Sequence, residues 1–199
     1  MTFETFLALL TLALLAAWTP GPNNLMLASS GANFGLSRTL PHICGVAFGF
    51  PIMIFVVATG LGAIIAASPA LQEGMRWAGA ALLLWFAWRI ATAGRAEDQR
   101  RSRPLNILEA AGFQWVNPKA WAMAMATTAQ FVTGSAVIVE SLLCSLAYAM
   151  AGLGSSIVWA GFGVWIRRLL STDLRLRAFN AAMGLLIASF VFVLFRDAV

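Results

Sequence analysis

Along its length the chain alternates long apolar stretches with short polar breaks. The apolar stretches cover roughly residues 3–33, 41–67, 71–93, 105–132, 137–166 and 178–195. At about 1.5 Å of helix rise per residue, each is long enough to cross about 30 Å of hydrocarbon. None alternates at every second residue as a barrel strand does, and the continuous Leu, Ala, Val, Ile and Phe runs predict helices. The pattern predicts an all-α polytopic membrane protein with six transmembrane helices. Its clearly polar connectors are 94–104 (GRAEDQRRSRP) and 167–177 (RRLLSTDLRLR).

Composition narrows the class. Of the 199 residues, 60% are apolar and 11% are Asp, Glu, Lys or Arg, where a soluble domain carries about 25% charged residues. So few charges cannot cover a soluble surface, which excludes a soluble multidomain enzyme and predicts a single polytopic transmembrane domain over 1–199. Met1 to Phe6 contain no Lys or Arg, and the first apolar run ends in Trp18-Thr19-Pro20 rather than at a small-residue cleavage site. That run therefore reads as a retained span and not as a cleaved signal.

The net charge of +5 acquires meaning from where the basic residues lie. Arg38 falls in the first connection and Arg89 near the end of the third span. Arg95, Arg100, Arg101 and Arg103 lie in the third connection, and Arg167, Arg168, Arg175 and Arg177 in the fifth. All ten share one side of the membrane if odd-numbered connections face the cytoplasm, which puts both termini outside. The charge therefore marks a membrane face and gives no reason to expect nucleic acid. Arg76 and Arg196 depart from the pattern, and Lys119 is left within a span.

A weaker regularity suggests an internal repeat. Residues 18–28 read WTPGPNNLMLA and residues 115–124 read WVNPKAWAMA. Each places Trp before a Pro/Asn cluster and then resumes an apolar, Met-containing helix. Aligning Pro22 with Pro118 divides the chain into a three-helix repeat at 1–93, a cytoplasmic linker at 94–104 and a second repeat at 105–199. Three is odd, so the second repeat is inverted relative to the first, an architecture common among secondary transporters. In this reading the first and fourth helices are broken.

The breaks carry the candidate chemistry. Pro20, Gly21 and Pro22 interrupt a helix because proline removes a donor and glycine loosens the backbone. Inside a bilayer such a break is tolerated against protein or a water-lined cavity. A half-helix beginning near Asn23 and Asn24 presents unpaired N–H groups and a positive dipole end, suited to a carboxylate. The bland alternative is a packed proline kink with Asn as the helix cap. The second break is Asn117-Pro118-Lys119. Lys119 lies about 14 residues, or about 20 Å, beyond the linker, too deep to reach the inner surface easily. An intramembrane cation of this kind is a functional candidate, with a structural ion pair as its alternative.

The carboxylates lie towards the span ends: Glu4, Glu73, Glu140 and Asp197 on the outer side, and Glu97, Asp98, Glu109 and Asp173 on the inner. With none at the centre, charge compensation favours a zwitterionic substrate with an uncharged side chain over a dibasic one. Glu109, Glu140 and His42 are the candidate proton carriers, although an interfacial or hydrogen-bonded role suits His42 better. Several Trp near span ends read as interfacial anchors. The pairs Gly31/Gly35 and Gly45/Gly49 read as close helix packing. No phosphate loop, paired metal ligands or Ser/His/Asp constellation is apparent, so no metal or cofactor is expected.

Thr19-Pro20-Gly21-Pro22-Asn23-Asn24 resembles the LysE/RhtB amino-acid exporter family. The resemblance continues through Gly35-Leu36-Ser37-Arg38, Pro41-His42 and Gly45/Gly49, and returns at Gly112-Phe113 and Trp115-Val116-Asn117-Pro118-Lys119. It implies a six-helix exporter of amino acids or related small metabolites in a bacterial inner membrane, coupled to protons. It also implies a central site at Pro20, Gly21, Pro22, Asn23, Asn117, Pro118 and Lys119. Substrate and oligomeric state are left open. The competing class is a membrane thiol–disulfide carrier using Cys44 and Cys144, one per half. Their positions near opposite membrane faces argue against it, because a disulfide requires Cα atoms within about 7 Å.

Overall fold

The computed structural model describes residues 1–93 and 103–196, and among these the regular structure is helical, with no strand. Helix α1 (Phe3–Trp18) starts on Thr2, whose hydroxyl accepts from the Thr5 amide. It stops at Thr19, just ahead of Pro20. α2 (Pro22–Phe34) leaves the break at 55° to α1. Pro22 takes the first helical position, where a missing N–H costs nothing. Gly35, at φ 78°, supplies the left-handed turn between α2 and α3 (Leu36–Val56). A π-helical turn at Val57–Leu61, kinked where Gly60 takes φ 142°, carries α3 into α4 (Gly62–Ala66) within the 31-residue stretch from Leu36 to Ala66.

Ser68 caps α5 (Pro69–Ala91). α6 (Ile107–Gln114) opens on a reciprocal cap in which the Asn106 side chain accepts from the Glu109 amide and the Glu109 carboxylate accepts from the Asn106 amide. A second break separates it from α7 (Pro118–Phe131), followed by α8 (Val137–Arg167) and α9 (Asp173–Arg196).

Two boundaries differ from the apolar pattern. α3 begins five residues before 41 because Gly35 ends α2 so tightly that the next helix follows at once. α9 begins at Asp173 rather than 178, since Thr172 accepts from the Arg175 amide and Asp173 lies in the first turn. Arg175 and Arg177 are therefore helical, and the polar connector shrinks to 168–172. Of the linker, 94–102 lies outside the described residues, and with it Arg95, Arg100, Arg101, Glu97 and Asp98, as does Asp197.

Among the described residues three helices are by length and composition able to cross a membrane: Leu36–Ala66, Val137–Arg167 and Asp173–Phe195. The bent pair α1–α2 makes a fourth if taken as one span. α5, with Glu73, Arg76 and Arg89, and the interrupted α6–α7 do not meet that criterion. Burial is inverted relative to a soluble protein. Asn24, Asn33, Gln114, Asn117, Glu140 and Asn180 are buried, whereas Ile52, Ile64, Leu84, Leu146 and Leu185 are exposed. Apolar side chains facing outward around an interior that combines apolar packing with buried polar groups suit a hydrocarbon solvent.

α8 is the central element, packing on α1, α2 and α3, while α6 packs on α3 and α5 pairs with α9. Main chain meets main chain at several of these contacts. A Cβ on Gly163 would run into the Ala28 carbonyl and the Ala32 amide, and one on Gly31 into the Ala160 carbonyl. Gly45 and Gly49 similarly admit α6 at Ile107, Ala110 and Ala111, so that pair serves packing within the bundle. Of the Gly31/Gly35 pair, Gly31 packs, but Gly35 is a turn with nothing within 4 Å of its Cβ position. Gly163→Ala is therefore expected to lower stability by about 1–3 kcal/mol through overpacking. Gly161→Ala, whose Cβ position is open, should leave it unchanged. Thermal unfolding of both variants in detergent checks this, and equal midpoints would contradict the α2–α8 contact.

Candidate functional site: a cavity between two helix breaks

The last carbonyls of α1 lack partners within the helix, and side chains from three other helices answer them. The Thr19 carbonyl accepts from Lys119 Nζ at the start of α7 and from Asn24 Nδ2 of α2 at 3.0 Å. The Ala17 carbonyl accepts from Asn24 Nδ2 at 3.0 Å and from Ser155 Oγ of α8 at 2.7 Å. Gly21 leaves the approach open. A Cβ there would lie 2.7 Å from Lys119 Cδ and 3.1 Å from Nζ.

A second link joins the breaks directly. Asn23 Nδ2 donates to Gln114 Oε1 at 2.8 Å, and Gln114 Nε2 returns a bond to Asn23 Oδ1 at 3.3 Å and another to the Ala110 carbonyl at 2.8 Å. The two helix starts differ in kind. α7 is capped by Asn117, whose side chain accepts from the Lys119 amide at 3.2 Å. α2 starts on Gly21 without a side-chain cap. The alternative of an Asn cap at the first break does not hold, because Asn23 and Asn24 lie inside α2; the Asn cap is at the second break.

Gly21, Asn23, Asn24, Asn117 and Lys119 line one cavity, joined by Gln114, by Phe50 of α3, and by Tyr148, Ser155 and Ser156 of α8. Its volume of about 50 Å³ holds a few waters, at roughly 10–15 Å³ each. The remaining three predicted site residues shape the breaks instead. Pro20 is exposed beyond the end of α1, Pro22 is buried in the first turn of α2, and Pro118 lines a separate cavity beside Trp121. Gln114, Ser155, Ser156 and Tyr148 were not anticipated. Available signals were a Gln just before the second break in an apolar segment and the single Tyr of the chain. Tyr148 accepts from Thr127 Oγ1 at 3.0 Å and meets Phe50 edge-on at 5.3 Å.

The three proton-carrier candidates do not line this cavity. Glu109 is exposed, caps α6 and forms a two-pronged ion pair with Arg103 at 2.6 and 2.7 Å. Glu140 anchors the turn before α8, accepting from Thr133 Oγ1 at 2.7 Å, from its amide at 2.9 Å and from Ser135 Oγ at 3.1 Å. His42 is buried within α3 and not at an interface, with Nδ1 3.0 Å from Ser30 Oγ. Cys44 and Cys144 are free thiols, and neither lines the cavity. Among the described residues no group of His, Cys, Asp or Glu could hold a metal ion.

The profile of the LysE type translocators matches residues 14–198. The chain belongs to the LysE type translocator family. Its relatives include the cysteine/O-acetylserine efflux proteins of Escherichia coli (strain K12) and of Shigella sonnei (strain Ss046). Each is 30% identical over 170 residues, covering 85% of this chain and 87% of the relative. No solved structure matches it. As a LysE type translocator it is a multi-pass membrane transporter and not an enzyme, and both helix breaks fall inside the matched region.

Proposed function

We propose that this translocator is a secondary active exporter of small zwitterionic amino acids, working by alternating access and driven by protons in a bacterial inner membrane. The observation that carries the reading is the meeting of two broken helices at one cavity, with Lys119 of the second on the Thr19 carbonyl of the first. A substrate carboxylate replaces that carbonyl as the partner of the Lys119 ammonium, and the uncapped start of α2 adds donors and a positive dipole end. Freed carbonyls at Ala17 and Thr19 accept from the substrate ammonium. The cavity's small size suits a closed state that must open to admit cargo.

Six spans in two inverted three-helix repeats, 1–93 and 105–199, are the arrangement this mechanism calls for. The packing supports it. α1 lies on α8 as α6 lies on α3, and α3–α8 and α5–α9 each pair an element with its counterpart. Arginine placement supports an inward-facing end. Arg167 donates to the Ala32 and Asn33 carbonyls at 2.8 and 2.9 Å, and Arg38 stacks over Phe34, all around the end of α2. Both termini then lie outside.

The relatives' printed substrates match a zwitterion, and cysteine and O-acetylserine are the cargo proposed here. Cells expressing the chain should release O-acetyl-L-serine faster than cells carrying empty vector, and a protonophore should abolish the difference. Equal release with and without the chain would reject the substrate class, and release indifferent to the protonophore would reject the coupling.

A further inference from the structure

A second cavity, about 310 Å³, opens further along α2 and is lined by Met26, Ser29 and Ser30 of that helix, His42 of α3, Arg89 of α5 and Arg103. Asn23 lines the central cavity and Ser30 this one, so the two lie about seven residues, or about 10 Å, apart along one helix face. Two features of the second cavity are unexplained by packing. His42 is 1% exposed, and its Nε2 has no hydrogen-bond partner, a costly state for a buried polar atom. The lining also carries two guanidinium groups, with Glu109 paired to one of them, which leaves the mouth positive.

We infer that this cavity is a loading site, where the carboxylate of an amino-acid substrate is held by His42 Nε2 and Arg89 before it moves along α2 to the central cavity. Ser30 Oγ lies 3.0 Å from Nδ1, and in the tautomer in which that hydroxyl donates to Nδ1, Nε2 carries the proton and serves as the donor. Arg89 stacks over Trp85 at 4.9 Å and supplies a second, charged donor at the rim. Arg103 is committed to Glu109, so it contributes field more than contact. This site rests on the exporter reading and on the arginine-rich end facing the cytoplasm. It adds a position before the central one, with its own contribution to apparent affinity.

The test uses inside-out vesicles, whose external face is the cytoplasmic one, and the concentration dependence of labelled O-acetyl-L-serine uptake. His42→Ala should raise the half-saturating concentration about tenfold, the effect of one hydrogen bond to a charged group, while the maximal rate falls far less. Arg89→Gln, at an exposed position, should raise it several-fold and decides the matter if His42→Ala fails to insert. Unchanged half-saturation in the inserted variants, with normal wild-type uptake, overturns the loading site alone. A fall in maximal rate without a change in half-saturation also overturns it, since that is the mark of a structural role. Absence of wild-type uptake overturns the exporter reading and this site with it.

Discussion

Lys119→Ala should lower O-acetyl-L-serine export by about 10- to 150-fold, the range for losing a charge-assisted hydrogen bond of about 1.5–3 kcal/mol, without loss of folded protein in the membrane. The two halves of that result have separate causes. Removing the ammonium removes the positive charge of the cavity, which a carboxylate needs when taken out of water. Stability survives because the Thr19 carbonyl retains Asn24 as a donor at 3.0 Å. Lys119→Arg should not restore export. A planar fork is bulkier than an ammonium, and the channel past Gly21 is already tight enough that one added carbon would sit 2.7 Å from Lys119 Cδ. Export by Lys119→Ala at the wild-type rate would remove the residue from the mechanism.

The second large effect concerns the amide pair between the breaks. Gln114→Leu or Asn23→Leu should each cost about 1–3 kcal/mol, because each leaves a partner amide unsatisfied. Asn23→Leu should be the worse of the two, since it leaves the Oε1 of fully buried Gln114 without a partner, whereas Asn23 is partly exposed to the cavity. The double variant should be more stable than the sum of the single costs predicts, by a coupling of about 1–3 kcal/mol. Export should remain impaired in the double variant, because the pair ties the N-terminal turn of α2 to the end of α6 across the site. Thermal unfolding of the four proteins measures the coupling. Strict additivity would show that the pair does not act as a unit.

Much of this arrangement is legible in the chain. Pro20-Gly21-Pro22 and Asn117-Pro118 mark both breaks because proline acts on the backbone locally, whatever surrounds it. Lys119 stands out because a lone cation in a long apolar run has few structural uses. Gln114 was harder to see, since its role depends on Asn23, 91 residues away, and only tertiary packing brings them together. Asn24 lines the cavity as the sequence suggests, but the two carbonyls its side chain engages at the end of α1 are not legible there, because they exist only where α1 ends. Glu109 and Glu140 show the same limit. A carboxylate near a span end is compatible with proton transfer, and the nearby Asn106, Arg103 and Thr133 that occupy them become partners only when the local turns form. For His42, following Pro41 at the start of an apolar run, the sequence leaves an interfacial and a hydrogen-bonded place open. The early onset of α3 at Leu36 puts it inside the bundle, where its Nδ1 lies in hydrogen-bond reach of Ser30, in line with the second.

The central claim is that the cavity between the two breaks binds the substrate through Lys119. Thermal unfolding of the purified full chain in detergent, with and without saturating O-acetyl-L-serine, tests it most directly, because a ligand that binds the folded state raises the midpoint. The account predicts a clear rise for the wild-type protein and a much smaller one for Lys119→Ala, with similar midpoints for the two in the absence of substrate. An equal rise in both proteins would contradict it.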